Sequence, residues 1–493
     1  MAGSQAVACA ASGGARAETS AAKAVTVGRC TVKAGCGRGY VGREGRAHKH
    51  RGDPNRHDSC VPETLAGPVL PERYLSASSP RPMPAAVDTL PPPADTDTLA
   101  ADLVALRRAL HRRPEVGFAE HETSALLRAW FVERGFTVGP PLAGTGFAVE
   151  IVGTAPGAEH GPTVGYRADM DALPVAEESG ADYASEHAGL MHACGHDAHM
   201  AIACGVAVVA RARAAEMRGR LRVFFQPNEE RAPSGAPAMI RDGVLDGLAA
   251  VYAVHVDPTL EAGRFGIRAG TLQAGCSPFT VTVSGGQSGH SARPHEAVDT
   301  VWVATRIAGE LYELAGRVTD ARRPAVLTLC RFRAGEALNV IPAEVEFGGT
   351  LRAVDTETLV RLREAVERIA VGVGAAHDAA VDVSFTDLLP AVVNTPDETA
   401  RARAAVVARV GAEAAVEMAL PSMGGEDFAH YLEHVPGAMV RVGTAGGPET
   451  RFPLHHARFD LDERALPLAA DVMADVCLRD LADRAARPPS TGA

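Results

Sequence analysis

The strongest constraint on this chain is an alternation of short β-rich runs with helical ones, several of the β runs closing in charged residues. FAVEIVG (147–153), TVGYRADM (163–170) and LRVFFQP (221–227) are apolar and β-branched enough to be buried strands. Between the last two lies AIACGVAVVARARA (201–214), too long and too Ala-rich for a strand and therefore helical. Strand, helix, strand in this rhythm predicts an α/β fold: a doubly wound, mainly parallel sheet with its ligands at the C-terminal strand ends. RADMDALP from Arg167 and QPNEE from Gln226 follow their strands directly, so both sets of carboxylates fall where an α/β site belongs. Upstream, Leu99, Leu103, Leu106 and Leu110 mark an amphipathic helix that Pro114 stops. HETSALLRAWFVERG (121–135) reads as a second, closed by Gly135.

From Ser277 the texture changes. PFTVTVSGG (278–286) alternates with period two and VDTVWVATRIAGELYELA (298–315) is helical. AVLTLCRFRAG (325–335), AEVEFGGTLR (343–352) and AVDVSFTD (380–387) are strands, with the helix LVRLREAVERIAVGVGAAH (359–377) between the last two. Strand, helix, strand, strand, helix, strand is the order of a ferredoxin-like insert of roughly 100 residues. Helix–strand alternation resumes near Thr395, so the insert interrupts the first domain. The expected organisation is a catalytic domain in two parts, 96–274 and 391–485, around an α+β insert at 275–390.

Residues 1–95 differ. They hold 12 Lys and Arg against 8 Asp and Glu, whereas the remainder holds 37 against 52. Rich in Gly, Ala, Ser, Arg and Pro and without apolar periodicity, they are expected to be disordered, or an extension preceding a true start near Met83. Cys30, Cys36, His48, His50, His57 and Cys60 match none of the usual zinc-finger spacings. The acidic body argues against nucleic acid or an anionic membrane as the main partner. No run approaches the roughly 18–20 apolar residues of a membrane span, and the N-terminus is a poor secretory signal, so a cytoplasmic protein is expected. Nine scattered cysteines form no disulfide framework.

The chemistry concentrates in MHACGHDAH (191–199), which places a thiol and three imidazoles in nine residues. Cys194 and His196 stand two apart, and a thiolate beside an imidazole suits a transition metal better than magnesium or calcium. The motif should sit in a loop opening a buried helix, with Asp197 near its N-terminus. A metal pair needs further N, O or S ligands and a base near the reactive water. The chain offers Glu229 and Glu230, His255 at the end of VYAVHV, and His455–His456 in PLHH. Singly each has a bland reading, for a histidine closing a strand commonly serves only as a hydrogen bonder. Two adjacent acids nevertheless allow divided labour, one tied to metal and the other free, with raised proton affinity, as general base.

Taken together, HRRPEVGFAEHETS, RADMDALPVAE, MHACGHDAHMA, FFQPNEE, GHSARPHEAVDTV, LNVIPAEVEFGGTLR, PSMGGEDFAHYL and PLHHARFDLDE resemble the M20 metallopeptidase family. The likeness is to its amidohydrolase branch: hippurate hydrolases, N-acyl-amino-acid amidohydrolases and plant auxin-conjugate hydrolases. It runs from about residue 97 to 480. The resemblance implies two divalent metal ions per subunit, with manganese the family's suggestion and zinc the alternative that a thiolate favours. It also implies a ferredoxin-like lid that dimerises. By motif position the ligands would be Cys194, His196, Glu230, His255 and His455. Glu229 would be the general base, and His290 would stabilise the oxyanion from the partner subunit. Asp171 would support the site without ligating, and Asn339, Gly424 and Gly425 would hold the substrate's carboxylate and backbone. The chain departs from the pattern at Asn228, where a small residue is usual, and His456 doubles the C-terminal histidine. The implied activity is amide hydrolysis of N-acyl or N-aroyl amino acids. The alternatives are a metallocarboxypeptidase or deacetylase acting on small peptides, and a non-catalytic metal-binding protein.

Overall fold

A computed structural model describes residues 96–486, and the expectations for residues 1–95 lie outside the described residues. The central sheet has seven strands. In spatial order they are Phe147–Val152, Arg220–Gln226, Thr163–Asp169, Leu248–Glu261, Gly437–Ala445, Phe265–Ile267 and Ala415–Glu417. Four neighbouring pairs run parallel; the edge strand Phe147–Val152 and the short Phe265–Ile267 each add an antiparallel contact. The mainly parallel sheet is buried on both faces, as its continuous apolar strands require.

One face carries the helices Thr96–His111, His196–Ala212 and Ala465–Ala486, whose apolar residues join a core with Val164, Tyr166, Val254 and Val440. The leucines at 99, 103, 106 and 110 all turn inward. Gly205 lets the middle helix cross the last one closely, since a Cβ there would lie 2.6 Å from the Ala470 Cβ. The thinner opposite face is covered by Gly235–Arg241 and Phe428–Leu432 around Phe224, Met239 and Tyr431. Helices on both faces make the sheet doubly wound.

The second layer of structure is a four-stranded antiparallel sheet ordered Ala380–Phe385, Gly275–Ser284, Glu344–Ala353, Ala325–Ala334. Its helices, Thr300–Val318 and Thr356–Ala376, are capped by Asp299 and Asp355, which accept from the N–H groups of Trp302 (3.0 Å) and Thr358 (2.7 Å). They bury Val303, Ile307, Leu311, Leu359, Leu362 and Val366 against Val281, Phe347 and Leu351 of the sheet, forming a separate core. The chain enters and leaves this insert side by side, with Cys276 and Leu389 exchanging backbone hydrogen bonds of 2.9 Å each.

One local expectation fails. His255 does not close its strand: pairing with Gly437–Ala445 carries the strand through Pro258 to Glu261, so the imidazole stands mid-strand. Pro258 and the polar Asp257 read as a stop, but tertiary pairing overrides that local signal. Among the described residues no helix is long and apolar enough to cross a membrane.

Candidate active site

The strands Thr163–Asp169 and Arg220–Gln226 end on Asp169 and Gln226, and the loops beyond them carry Asp171 and the Glu229–Glu230 pair to the same rim. Opposite them the helix His196–Ala212 begins, preceded by Cys194 and Gly195. Gly195 adopts φ +84°, and a Cβ there would sit 2.5 Å from Val256 Cγ2. Only glycine fits both the left-handed turn and that approach, and the turn places thiol and imidazole together.

Cys194, His196 and Glu230 bring one donor atom each within 4.8 Å of one another. His196 Nδ1 lies 2.8 Å from the Asp171 carbonyl oxygen. A carbonyl can only accept, so Nδ1 carries the proton and Nε2 presents its lone pair. That Nε2 is buried without a hydrogen-bond partner, as is Glu230 Oε1 3.9 Å away. His255 repeats the pattern: Nδ1 donates to the Val256 carbonyl at 2.8 Å, and Nε2 lies 3.7 Å from Cys194 Sγ. Two imidazoles fixed by backbone carbonyls, each turning Nε2 toward the thiol or the glutamate, are what metal-ligating histidines present. Orphaned N and O atoms beside a thiol therefore fit a transition-metal pair.

His455 adopts φ +66°, anchored by its N–H to the Ala193 carbonyl at 2.8 Å, and its Nε2 lies 3.3 Å from Glu230 Oε1. Its closeness to Cys194 and Glu230 pushes its proton affinity up, to about 10. His456 instead stacks on Phe452 with ring centroids 4.9 Å apart, and its Nδ1 accepts from the Arg458 N–H. Of the doubled histidines, 455 joins the cluster. His199, third in the motif, is committed elsewhere: Nδ1 donates to Asp169 at 2.7 Å and Nε2 accepts from the Val256 N–H at 3.0 Å.

Glu229 Oε2 is 4.0 Å from His196 Nε2. Burial, then Glu426 and Glu230, hold its carboxyl well above the usual carboxylate range. Asp171 serves the pair more than the imidazole: its two oxygens accept the Glu229 and Glu230 N–H groups at 3.0 Å each. His196 is oriented by the Asp171 carbonyl rather than its carboxylate, which stands 3.4 Å off. Asn228 takes φ +52° and its amide donates to the carbonyls of Arg231 (2.9 Å) and Pro233 (2.7 Å), so it braces the loop that carries the glutamates.

The remaining predicted residues are not in the cluster. His290 lies exposed on a two-stranded ribbon of the insert, opposite Val340, and its Nδ1 accepts from the Ala292 N–H at 3.1 Å. Asn339 is beside it, its carbonyl accepting from Ser291 N–H at 3.1 Å. Gly424 and Gly425 form the turn before Glu426, where a Cβ on Gly425 would meet Leu389 Cδ2 at 2.7 Å.

That turn delivers residues the sequence reading passed over. Glu426 and Asp427 lie with Glu229 in one acidic group, balanced by the fully buried Arg167. The guanidinium reaches Asp169 and Asp427 at 2.7 Å, Glu426 at 3.1 Å and Gln226 Oε1 at 2.9 Å. The available signal was the placing of RADMD and GGED beyond apolar runs, where solvation explains a charge poorly.

The model of "Peptidase family M20/M25/M40" matches residues 165–479. A probable hydrolase of Synechocystis is 38% identical over 371 residues, covering 75% of this chain and 93% of that protein. An N-acetylcysteine deacetylase of Bacillus subtilis is 36% identical over 378 residues, 76% of this chain and 96% of the relative. The solved Bacillus subtilis YXEP protein, described as a dinuclear metal binding peptidase, superposes with TM-score 0.68 at 33% identity, covering 78% of this chain and 99% of its own. With an α/β catalytic domain, a matching motif series and relatives matched over nearly their whole length, the chain belongs to peptidase family M20/M25/M40, in its amidohydrolase branch.

Proposed function

We propose that the protein hydrolyses the amide bond of N-acyl or N-aroyl amino acids, giving a carboxylic acid and a free amino acid. The observation that carries this reading is the pair of carbonyl-locked imidazoles, His196 and His255, offering Nε2 beside Cys194 and Glu230. Cys194, His196, Glu230, His255 and His455 would hold two divalent ions, manganese by the family's habit and zinc by the thiolate's preference. When bound, such ions supply Lewis acidity at the amide carbonyl and ease the deprotonation of water. Glu229 takes the proton of the attacking water and returns it to the leaving nitrogen. Its raised proton affinity suits both transfers. Asp171 holds Glu229 and Glu230 by their backbones, fixing the angle between base and ligand.

The lid, residues 275–390, brings His290 to the developing oxyanion on closure, and Asn339 with the Gly424–Gly425 turn receives the amino-acid half. A homodimer is part of the reading. The lid's outer strand Ala325–Ala334 is an edge carrying exposed Val326 and Phe332, next to exposed Leu338 and Val340. Such an edge calls for a cover. A cytoplasmic location completes the reading.

The test is hydrolysis of hippurate, N-acetyl amino acids, indole-acetyl conjugates and dipeptides by metal-stripped protein with Mn²⁺ or Zn²⁺ restored, beside Glu229→Ala. Metal-dependent release of amino acid that the variant lacks supports the reading. Turnover of dipeptides alone replaces it with a carboxypeptidase, and no turnover with metal bound removes catalysis from it.

A further inference from the structure

Four arginines are buried among the described residues, and three of them hold a carboxylate. Arg107 meets Asp197 at 2.7 Å, Arg167 meets Asp169 at 2.7 Å, and Arg401 meets Asp483 at 3.0 Å. The fourth, Arg441, is 6% exposed and its Nε meets no acceptor. It stands on the strand Gly437–Ala445 directly beside His255 in parallel register, so both side chains project from the same face of the sheet. Asp257, Glu426 and Cys194 feel its charge without forming an ion pair with it. Two of these are already engaged: Asp257 accepts from the Thr259 N–H and hydroxyl at 2.9 and 2.6 Å, and Glu426 lies 3.1 Å from Arg167. A guanidinium taken out of water without an anion is costly, and apart from Thr444 the surrounding strand GAMVRVGTA is apolar. A charge kept at such a place calls for an anion supplied from outside.

Resting on the amidohydrolase reading of the site, we propose that Arg441 is a specificity-determining residue whose guanidinium receives a carboxylate carried by the substrate, on the floor of the cleft beside His255. The carboxylate can come from two sources: the α-carboxylate of the amino-acid half, or the free end of a dicarboxylic acyl half. The planar donor fork suits either.

The experiment compares parent, Arg441→Met and Arg441→Lys on N-acetylmethionine, N-acetylmethioninamide and N-succinylmethioninamide. The ratio of KM values between amide and carboxylate substrates should collapse about ten- to a hundredfold in Arg441→Met, with partial recovery in Arg441→Lys. Collapse with N-acetylmethionine assigns the α-carboxylate, and collapse with the succinyl amide assigns the acyl end. Arg441→Met should also melt no lower than the parent, because it removes an uncompensated buried charge at similar volume. An unchanged ratio overturns the proposal, as does a methionine variant that fails to fold, since the guanidinium would then serve the structure. A parent that hydrolyses none of the three is a failure of the amidohydrolase reading instead. Arg441 is then judged by calorimetric binding to parent and Arg441→Met of methionine against methioninamide, and of N-succinylmethioninamide against N-acetylmethioninamide, unchanged preferences in both pairs overturning its role.

Discussion

Replacing Asp171 by asparagine isolates the aiming of the two glutamates. The aspartate accepts one N–H on each oxygen, from Glu229 and from Glu230, both at 3.0 Å. Asparagine keeps one acceptor and turns an NH₂ toward the other donor, so one N–H loses its partner at a position only 1% exposed. The bond to His196 is untouched, because it comes from the backbone carbonyl of residue 171. Leaving a buried donor unsatisfied costs about 1–3 kcal/mol. If that cost falls on the aim of the glutamates, it amounts to roughly 5- to 150-fold, at about 1.4 kcal/mol per tenfold. Because one carboxylate serves both residues, metal affinity through Glu230 and turnover through Glu229 should fall together. Chelator competition gives the first, and kcat at saturating metal the second. An Asp171→Asn enzyme with weakened metal binding but full kcat at saturation would refute the argument and leave the carboxylate as a support for His196 alone.

Gly195→Ala should cost a few kcal/mol, summing about 1–2 for the left-handed backbone with an overpacking penalty of about 1–3 against Val256, and should lower metal affinity as well as the melting temperature. His455→Ala should reduce bound metal from two ions toward one by elemental analysis, whereas His456→Ala, losing its stack on Phe452 and its bond from the Arg458 N–H, should keep both. The same pair of variants tests whether the left-handed φ at 455 is tied to ligation. Glu177 supplies a pH test away from the cluster. Burial alone raises its carboxyl, but hydrogen bonds from His111, Ser179 and the Ser185 N–H outweigh it and hold the group below its ordinary 4.5. A depressed carboxyl contributes stability that is present above pH 4.5 and lost as pH falls through its folded value. Urea midpoints measured between pH 3 and 6 should therefore drop on the acid side in the parent and drop less in Glu177→Gln; parallel curves would contradict this.

How much of this was legible beforehand follows from how local each signal is. Cys194 and His196 lie in one turn, and Glu229–Glu230 follow one strand, so period and motif suffice to find them. The strands and helices of the 275–390 insert are legible because period-two and helical patterns survive without tertiary help. His255 stands beside Cys194, but its strand reads as ending too soon, because the pairing that extends it comes from residues near 440. The Arg167 cluster escaped notice for the same reason. Its partners Glu426 and Asp427 are some 260 positions away, and no window of sequence pairs a guanidinium with carboxylates at that range. His290 and Asn339 share a ribbon of the insert outside the cluster, and sequence spacing alone does not place them relative to it.

The position of the strand Gly437–Ala445 governs the order in which this protein can be made. It lies between Leu248–Glu261 and Phe265–Ile267, inside the sheet, yet begins about 170 residues after either ends. During synthesis the first catalytic segment emerges with a long apolar strand edge unpaired, while the lid, whose strands and helices are contiguous, has everything it needs to fold. The lid is thus the natural first folding unit, and the open edge must be kept from other chains until residue 445 clears the ribosome. Ribosome-bound chains stopped before Gly437 should show a protease-resistant lid beside an unprotected catalytic segment; equal protection of both would contradict this order. The last of the five proposed ligands, His455, arrives only ten residues after that strand closes the sheet.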